Sequence, residues 1–202
     1  MQAYLIFLPQ QGNDLHMTLF KALERSGIKD FAPDNPQRKN IVFHTNGKHI
    51  IARTSSVLDG NPIPMSKETL DVVNGSEIQA IVTLSRERRI MTSKEEREAF
   101  IKKHKRLPKS NENHINIRMT DDDVNAYIPT LLEKAGLSDV VFKISDSPLS
   151  YQDMSKRRKS FKTMDISFTA KVTDLEAFEQ AWLNGIGQVK TYGFGMIRAA
   201  VK

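Results

Sequence analysis

Asn40-Ile41-Val42-Phe43-His44-Thr45-Asn46-Gly47-Lys48-His49-Ile50-Ile51-Ala52-Arg53 reads as two largely apolar strands meeting at an Asn-Gly pair. A two-residue hairpin turn needs two positive φ angles, which Asn-Gly supplies best, so the flanking residues are expected to pair antiparallel. In that register His44 and His49 face each other across the hairpin. Upstream, Ala3-Tyr4-Leu5-Ile6-Phe7-Leu8 is a short apolar run ended by Pro9, which suits a buried strand. Between them, Asn13 or Asp14 can cap a helix, Leu15, Leu19, Phe20 and Leu23 recur at helical spacing, and Gly27 stops the pattern. A helix over about 66–73 and a long strand over about 77–88 then complete the order βαββαβ.

The same order recurs downstream. Ser93-x-x-Glu96 is a capping-box pattern that opens a strongly charged connecting helix over 92–107, followed by a loop over 108–113. Residues 115–119 read as a strand, 121–135 as a helix with Pro129 positioned to kink it, and 140–144 and 161–172 as strands. Asp174 caps a helix through Leu183, and 196–201 is the last strand. The expected fold is α+β, with tandem ferredoxin-like (βαββαβ) domains whose antiparallel sheets are each backed by two helices. The expected limits are 1–90 for the first domain, 91–112 for a linker with the charged helix, and 113–202 for the second.

The 202 residues exceed one ferredoxin-like module of roughly 90 residues and leave enough chain for a substantial core. Thirty lysines and arginines against twenty-four acids give a net charge of +6, which points toward nucleic acid or another anionic surface. Without cysteine, disulfides and thiolate metal sites are excluded. The first residues lack the basic start of a signal peptide, and no stretch approaches ~18 apolar residues, so a cytoplasmic protein with no membrane partner is expected.

The connection Gly185-Ile186-Gly187-Gln188-Val189-Lys190-Thr191-Tyr192-Gly193-Phe194-Gly195 holds two G-x-G pairs around a lysine. Glycine permits φ > 0 and close approach of phosphate to main-chain N–H groups, while Lys190 adds a mobile positive charge. A dinucleotide fingerprint would need glycine at 190 and a helix afterwards, so that class is excluded. An equally weighted reading makes Gly185 a helix C′ residue, with the other glycines shaping a tight loop. Lys156-Arg157-Arg158-Lys159 crowds four cations into one strand connection; such density favours an anion, and the group is expected to track a nucleic-acid backbone. Lys102, Lys103, Lys105, Arg106 and Lys109 follow a run of glutamates and read as an exposed helix face, whereas Arg86, Arg88 and Arg89 are placed to border the groove.

Histidine titrates near neutrality, so the five histidines are the first candidates for proton transfer. His16 falls in the first turn of the first helix, where free N–H groups and the helix dipole attract an anion. It also shares a face with Leu19, Phe20 and Leu23, and a core-edge packing role fits the same pattern. His44 and His49 lack a third ligand, so they read as a polar cross-strand pair and no metal is assigned. His104 and His114 read as exposed.

Asp14-Leu15-His16-Met17-Thr18-Leu19-Phe20, Val172-Thr173-Asp174 with its following helix, and Gly185-Ile-Gly187 through Gly193-Phe-Gly195-Met-Ile are together similar to segments of the CasE family. These are CRISPR precursor-RNA endoribonucleases of the ferredoxin-like repeat-associated RNA-binding superfamily, and the order of elements also resembles theirs over nearly the full length. The resemblance implies metal-independent cleavage, without a cofactor, at the base of a repeat stem-loop. Attack by the 2′-hydroxyl would leave a cyclic phosphate, with His16 as general acid or base. By their charge and by the loop's glycines, Lys156, Arg157, Arg158, Lys159, Gly185, Gly187, Gln188, Lys190, Gly193 and Gly195 are expected to contact the RNA. The resemblance also implies retention of the cleaved hairpin and membership of a multisubunit surveillance complex. The family commonly carries tyrosine three residues before the histidine, where this chain has Asn13; an amide orients a phosphate oxygen but lacks a phenol's acidity. Two other readings fit the same residues, a non-catalytic RNA-binding subunit and a ferredoxin-like sensor or assembly module.

Overall fold

The computed structural model describes residues 1–12, 14–28, 31, 40–55, 63–108, 114–147, 151–153, 159–188, 190 and 193–202, without the side chains of 88–91, 114–116, 151–153 and 159–161. Two four-stranded antiparallel sheets organise it. The first contains β1 (Gln2–Pro9), β2 (Val42–Thr45), β3 (His49–Thr54) and β4 (Met65–Thr69) in the order β2-β3-β1-β4. Helix α1 (Leu15–Arg25) is capped by Asp14, whose carboxylate accepts the Met17 N–H at 2.8 Å. Its i, i+4, i+8 residues Leu15, Leu19 and Leu23 are buried against Ile6, Phe43, Ile50 and Ala52 of the sheet.

The second sheet contains β5 (Glu77–Ser85), β8 (Leu137–Asp146), β11 (Thr163–Val172) and β12 (Arg198–Val201) in the order β12-β5-β11-β8. Ile78, Ala80, Val82 and Leu84 alternate along β5 onto one face with Met164, Ile166, Phe168 and Ala170 of β11. Helices α3 (Asp121–Glu133) and α4 (Leu175–Asn184) cover that face through Val124, Ile128, Leu132, Phe178 and Trp182. Taking strands in chain order within each unit, both sheets read 2-3-1-4 from one edge, the tandem ferredoxin-like arrangement. Two insertions decorate the second unit. One is β6 (Glu87–Met91), α2 (Lys94–His104) and β7 (His114–Arg118), with β6 paired to β7; the other is the hairpin of β9 (Tyr151–Asp153) and β10 (Lys159–Phe161).

Three expectations are corrected. Residues expected as a helix over 66–73 form edge strand β4, paired with β1 from Gln2↔Thr69 to Ile6↔Met65. Its Ser66-Lys67-Glu68-Thr69 offers no apolar stripe at helical spacing, while charged side chains suit a sheet edge. The strand expected to finish the first unit, β5, instead lies centrally in the second sheet and ends before Arg86. The change of sheet therefore falls between Thr69 and Glu77, ahead of the expected limit at residue 90, and the charged helix α2 sits inside the second unit. The third correction concerns the hairpin register. Thr45 pairs with Ile50 and His44 with Ile51, so His49 does not face His44. Asn46 Oδ1 accepts the N–H groups of both Lys48 and His49, and this Asx turn widens the loop by two residues. Among the described residues no helix is long and apolar enough to cross a membrane.

Candidate nucleic-acid interface

His16 occupies the first turn of α1, half-buried at the rim of the leucine stripe. Its ring lies 4.4 Å from that of Phe20, tilted by 33°. Both readings of the sequence meet here: the imidazole packs on one side, and its place at the edge of the buried face keeps it within reach of solvent. The helix start is further secured by Thr18 Oγ1, which donates to the Gln11 and Asp14 carbonyls at 2.8 and 2.9 Å. Asn13 lies outside the described residues. A cleft of about 500 Å³ bearing Gln11, Thr18, Lys21 and Arg25 runs along α1, on the edge away from His16 at 100° per residue.

The glycine loop meets this helix start. Gly185, Gly187, Gly193 and Gly195 all have positive φ, from +71° to +89°, as their pattern predicts. The space beside most of them, however, is filled by protein. A Cβ on Gly193 would come within 2.8 Å of the Phe43 ring and 3.5 Å of Leu15; one on Gly185 would meet Val42 at 2.8 Å, and one on Gly195 would overlap the Ile186 carbonyl. The Gly193 N–H donates to Lys190 O at 3.1 Å, that of Gly195 to Thr83 O at 2.8 Å, and that of Ile186 to Gly195 O at 2.9 Å. At Gly193 and Gly195 the N–H groups are thus occupied, which corrects the expectation that they face phosphate; their contribution is shape. The Lys190 Nζ donates to Gly185 O at 3.3 Å. Gln188 and Lys190 remain exposed on the loop. Through Gly193 and Leu15, the loop is brought to the residue preceding His16.

The remaining cations divide. Lys156, Arg157 and Arg158 lie outside the described residues. Lys159 opens β10 opposite Asp153. Arg86, expected to border a groove, instead donates to Asp121 at the start of α3 and to Asp146 at 3.3 Å, and it is largely buried. It ties strand, helix and sheet edge together. Arg88 and Arg89 lie on β6, where only the backbone is described. His104 is exposed beside Phe100, their rings 4.4 Å apart, and α2 has no buried residue.

His44 is buried, and burial together with nearby Arg198 pushes its pKa down to about 4. A neutral imidazole in the fold and an ordinary one in the unfolded chain mean that the unfolded state binds more protons between those values. Stability is therefore complete above about pH 6.5 and falls as pH drops toward 4, by roughly 3 kcal/mol in all. Urea unfolding between pH 7.5 and 4.5 is expected to show that loss, and His44→Gln to lessen it. An equal loss in both proteins would assign it elsewhere.

Sequence reasoning missed Arg53 and Phe43, which meet the glycine loop or its ends from the first sheet. Nothing local marks an arginine at the end of an apolar strand as buried. The family described as CRISPR associated protein matches this chain over residues 57–200. In structure the chain is similar to CRISPR endoribonuclease Cse3 bound to a 19-nucleotide RNA, at 14% identity, 98% of each chain covered and a TM-score of 0.60. It is similar to CRISPR-associated protein Cas6e from Escherichia coli K-12, at 15% identity, 99% of each chain and 0.61. It is also similar to a chain of a CRISPR RNA-guided surveillance complex, at 16% identity, 98% of this chain, 100% of the other and 0.57. No curated protein sequence matches it.

Proposed function

The chain belongs to the CRISPR-associated protein family, and from that premise we propose that it is an endoribonuclease that cuts CRISPR repeat stem-loops in precursor RNA. The observation that carries the reading is His16, held in the first turn of α1 directly after Leu15, on which Gly193 of the loop packs, in a chain similar over 98% of its length to an RNA-bound endoribonuclease. The 2′-oxygen next to the scissile phosphate attacks in line; its bond to phosphorus forms as the bond to the 5′-oxygen breaks. One proton leaves the 2′-hydroxyl and one reaches the departing 5′-oxygen, giving a 2′,3′-cyclic phosphate and a 5′-hydroxyl. His16 takes one of these proton transfers, and Asn13 orients a phosphate oxygen by hydrogen bonding. No metal enters the scheme. The product hairpin stays bound, and the protein works in the cytoplasm as one subunit of a surveillance complex. The test is incubation with a repeat hairpin in EDTA, with the 5′ fragment's end analysed for cyclic phosphate. Cleavage only on adding a divalent cation, or a 5′-phosphate product, would overturn the mechanism.

A second reading, RNA binding without cleavage, is favoured by one observation, asparagine at 13 in place of a second acid-base group. Tight binding with an intact hairpin after prolonged incubation would select it.

Both readings place Lys156, Arg157, Arg158 and Lys159 on the RNA backbone. Neutralising all four is expected to weaken hairpin binding and to flatten the slope of log K against log salt by up to about three units, since fewer counterions are released. An unchanged slope in a folded variant would make the cluster an ordinary surface loop.

A further inference from the structure

Arg53 is fully buried in the first sheet, yet its guanidinium divides its hydrogen bonds between that sheet and the second unit. Its Nε and Nη2 donate to the two oxygens of Glu68 at 2.7 and 2.8 Å, a bidentate pair across the sheet. Its Nη1 donates to the carbonyls of Trp182 at 2.9 Å and Ile197 at 2.8 Å. Its plane lies over the Trp182 ring, 4.2 Å from the centroid. Trp182 and Ile197 bracket the glycine loop. The Trp182 carbonyl belongs to the last turn of α4, where carbonyls lack helical partners and a cation is favoured. One nitrogen thus grips both ends of the loop, just outside its own Ile186 N–H to Gly195 O bond.

We propose that Arg53, held by Glu68, is a positioning residue that staples the neck of the glycine loop to the first sheet and so sets the loop against the start of α1 beside His16. Among its described residues the loop between α4 and β12 has no strand, and its four glycines all take positive φ. Its own unit holds it through the Gly195 N–H to Thr83 O bond and the packing of Gly187 on Leu84, and the other unit fixes its remaining side, with Val42, Phe43 and Leu15 receiving its glycines and Arg53 closing its base. Lysine at 53 retains the charge but cannot hold a carboxylate by two parallel bonds while also bridging two carbonyls. The consequence for RNA rests on the function proposed above; the staple itself does not.

The experiment compares wild type, Arg53→Lys and Glu68→Gln by amide hydrogen exchange, hairpin binding and single-turnover cleavage. Glu68 is partly exposed, so Glu68→Gln decides the matter where Arg53→Lys fails to fold. Exchange at the Ile186 and Gly195 amides is expected to rise roughly tenfold, with hairpin affinity and the cleavage rate at saturating RNA each falling by a similar factor, while exchange at Ile6 and Ile166 stays as in wild type. Unchanged exchange at the loop amides in folded variants overturns the staple. A faster-exchanging loop with wild-type binding and cleavage overturns the positioning role and leaves Arg53 a purely structural residue. A wild-type protein that neither binds nor cuts the hairpin defeats the functional reading instead, and the exchange comparison then judges the staple alone.

Discussion

With His16 replaced by alanine, single-turnover cleavage of a repeat hairpin is expected to fall ~10²–10⁴-fold, the usual loss on removing a general acid or base. Hairpin binding is expected to stay nearly intact. The separation is expected because the cap and the buried face of α1 are made by other residues. The helix cap is made by Asp14 and the Met17 N–H, the buried stripe by Leu15, Leu19 and Leu23, and the ring's visible packing partner is Phe20 at its edge. Circular dichroism and thermal unfolding of the variant should therefore match wild type. Cleavage near the wild-type rate would remove His16 from the mechanism. Loss of binding in a folded variant would make it an RNA-docking residue rather than an acid-base group.

What could be read from sequence was what short-range physics decides. The presence of the hairpin, though not its register, the cap and face of α1, the capping box at Ser93 and Glu96, and the positive φ angles of the loop glycines are set by residues within a few positions of one another. The errors have a different character. An edge strand such as β4, with one paired side, carries little apolar pattern, and the alternation of β5 says that the strand is buried but not which sheet buries it. The site divides in the same way. The place of His16 in the first turn followed from local spacing, whereas Arg53 reaches its carbonyl partners 129 and 144 residues along the chain. Nor does a G-x-G pattern distinguish a backbone opened for phosphate from one closed around a neighbouring ring. Positive φ serves either, and only the tertiary partner of the missing Cβ decides.

That ambiguity yields the second large effect. Gly195→Ala is expected to destabilise the protein by about 2–3 kcal/mol, since the new methyl would overlap the Ile186 carbonyl at a φ of +88° that L-residues rarely adopt. Relief requires giving up the Ile186 N–H to Gly195 O bond or the Gly195 N–H to Thr83 O bond, both of which close the loop. Gly187→Ala is the control. Its φ of +78° carries the same backbone penalty, but the nearest atom to its Cβ is a Leu84 methyl at 3.1 Å, which can move, so about 1 kcal/mol is expected. Urea unfolding measures both, and hairpin binding at a urea-free temperature where both variants are folded completes the comparison. If the loop is a docked plug that exposes Gln188 and Lys190, the Gly187 variant binds RNA much as wild type does, and Lys190→Ala weakens binding more. If instead folded Gly187→Ala loses the hairpin while Lys190→Ala keeps it, the backbone at 187 is itself the phosphate site, and the packing seen around Gly185, Gly193 and Gly195 serves to present that one open position.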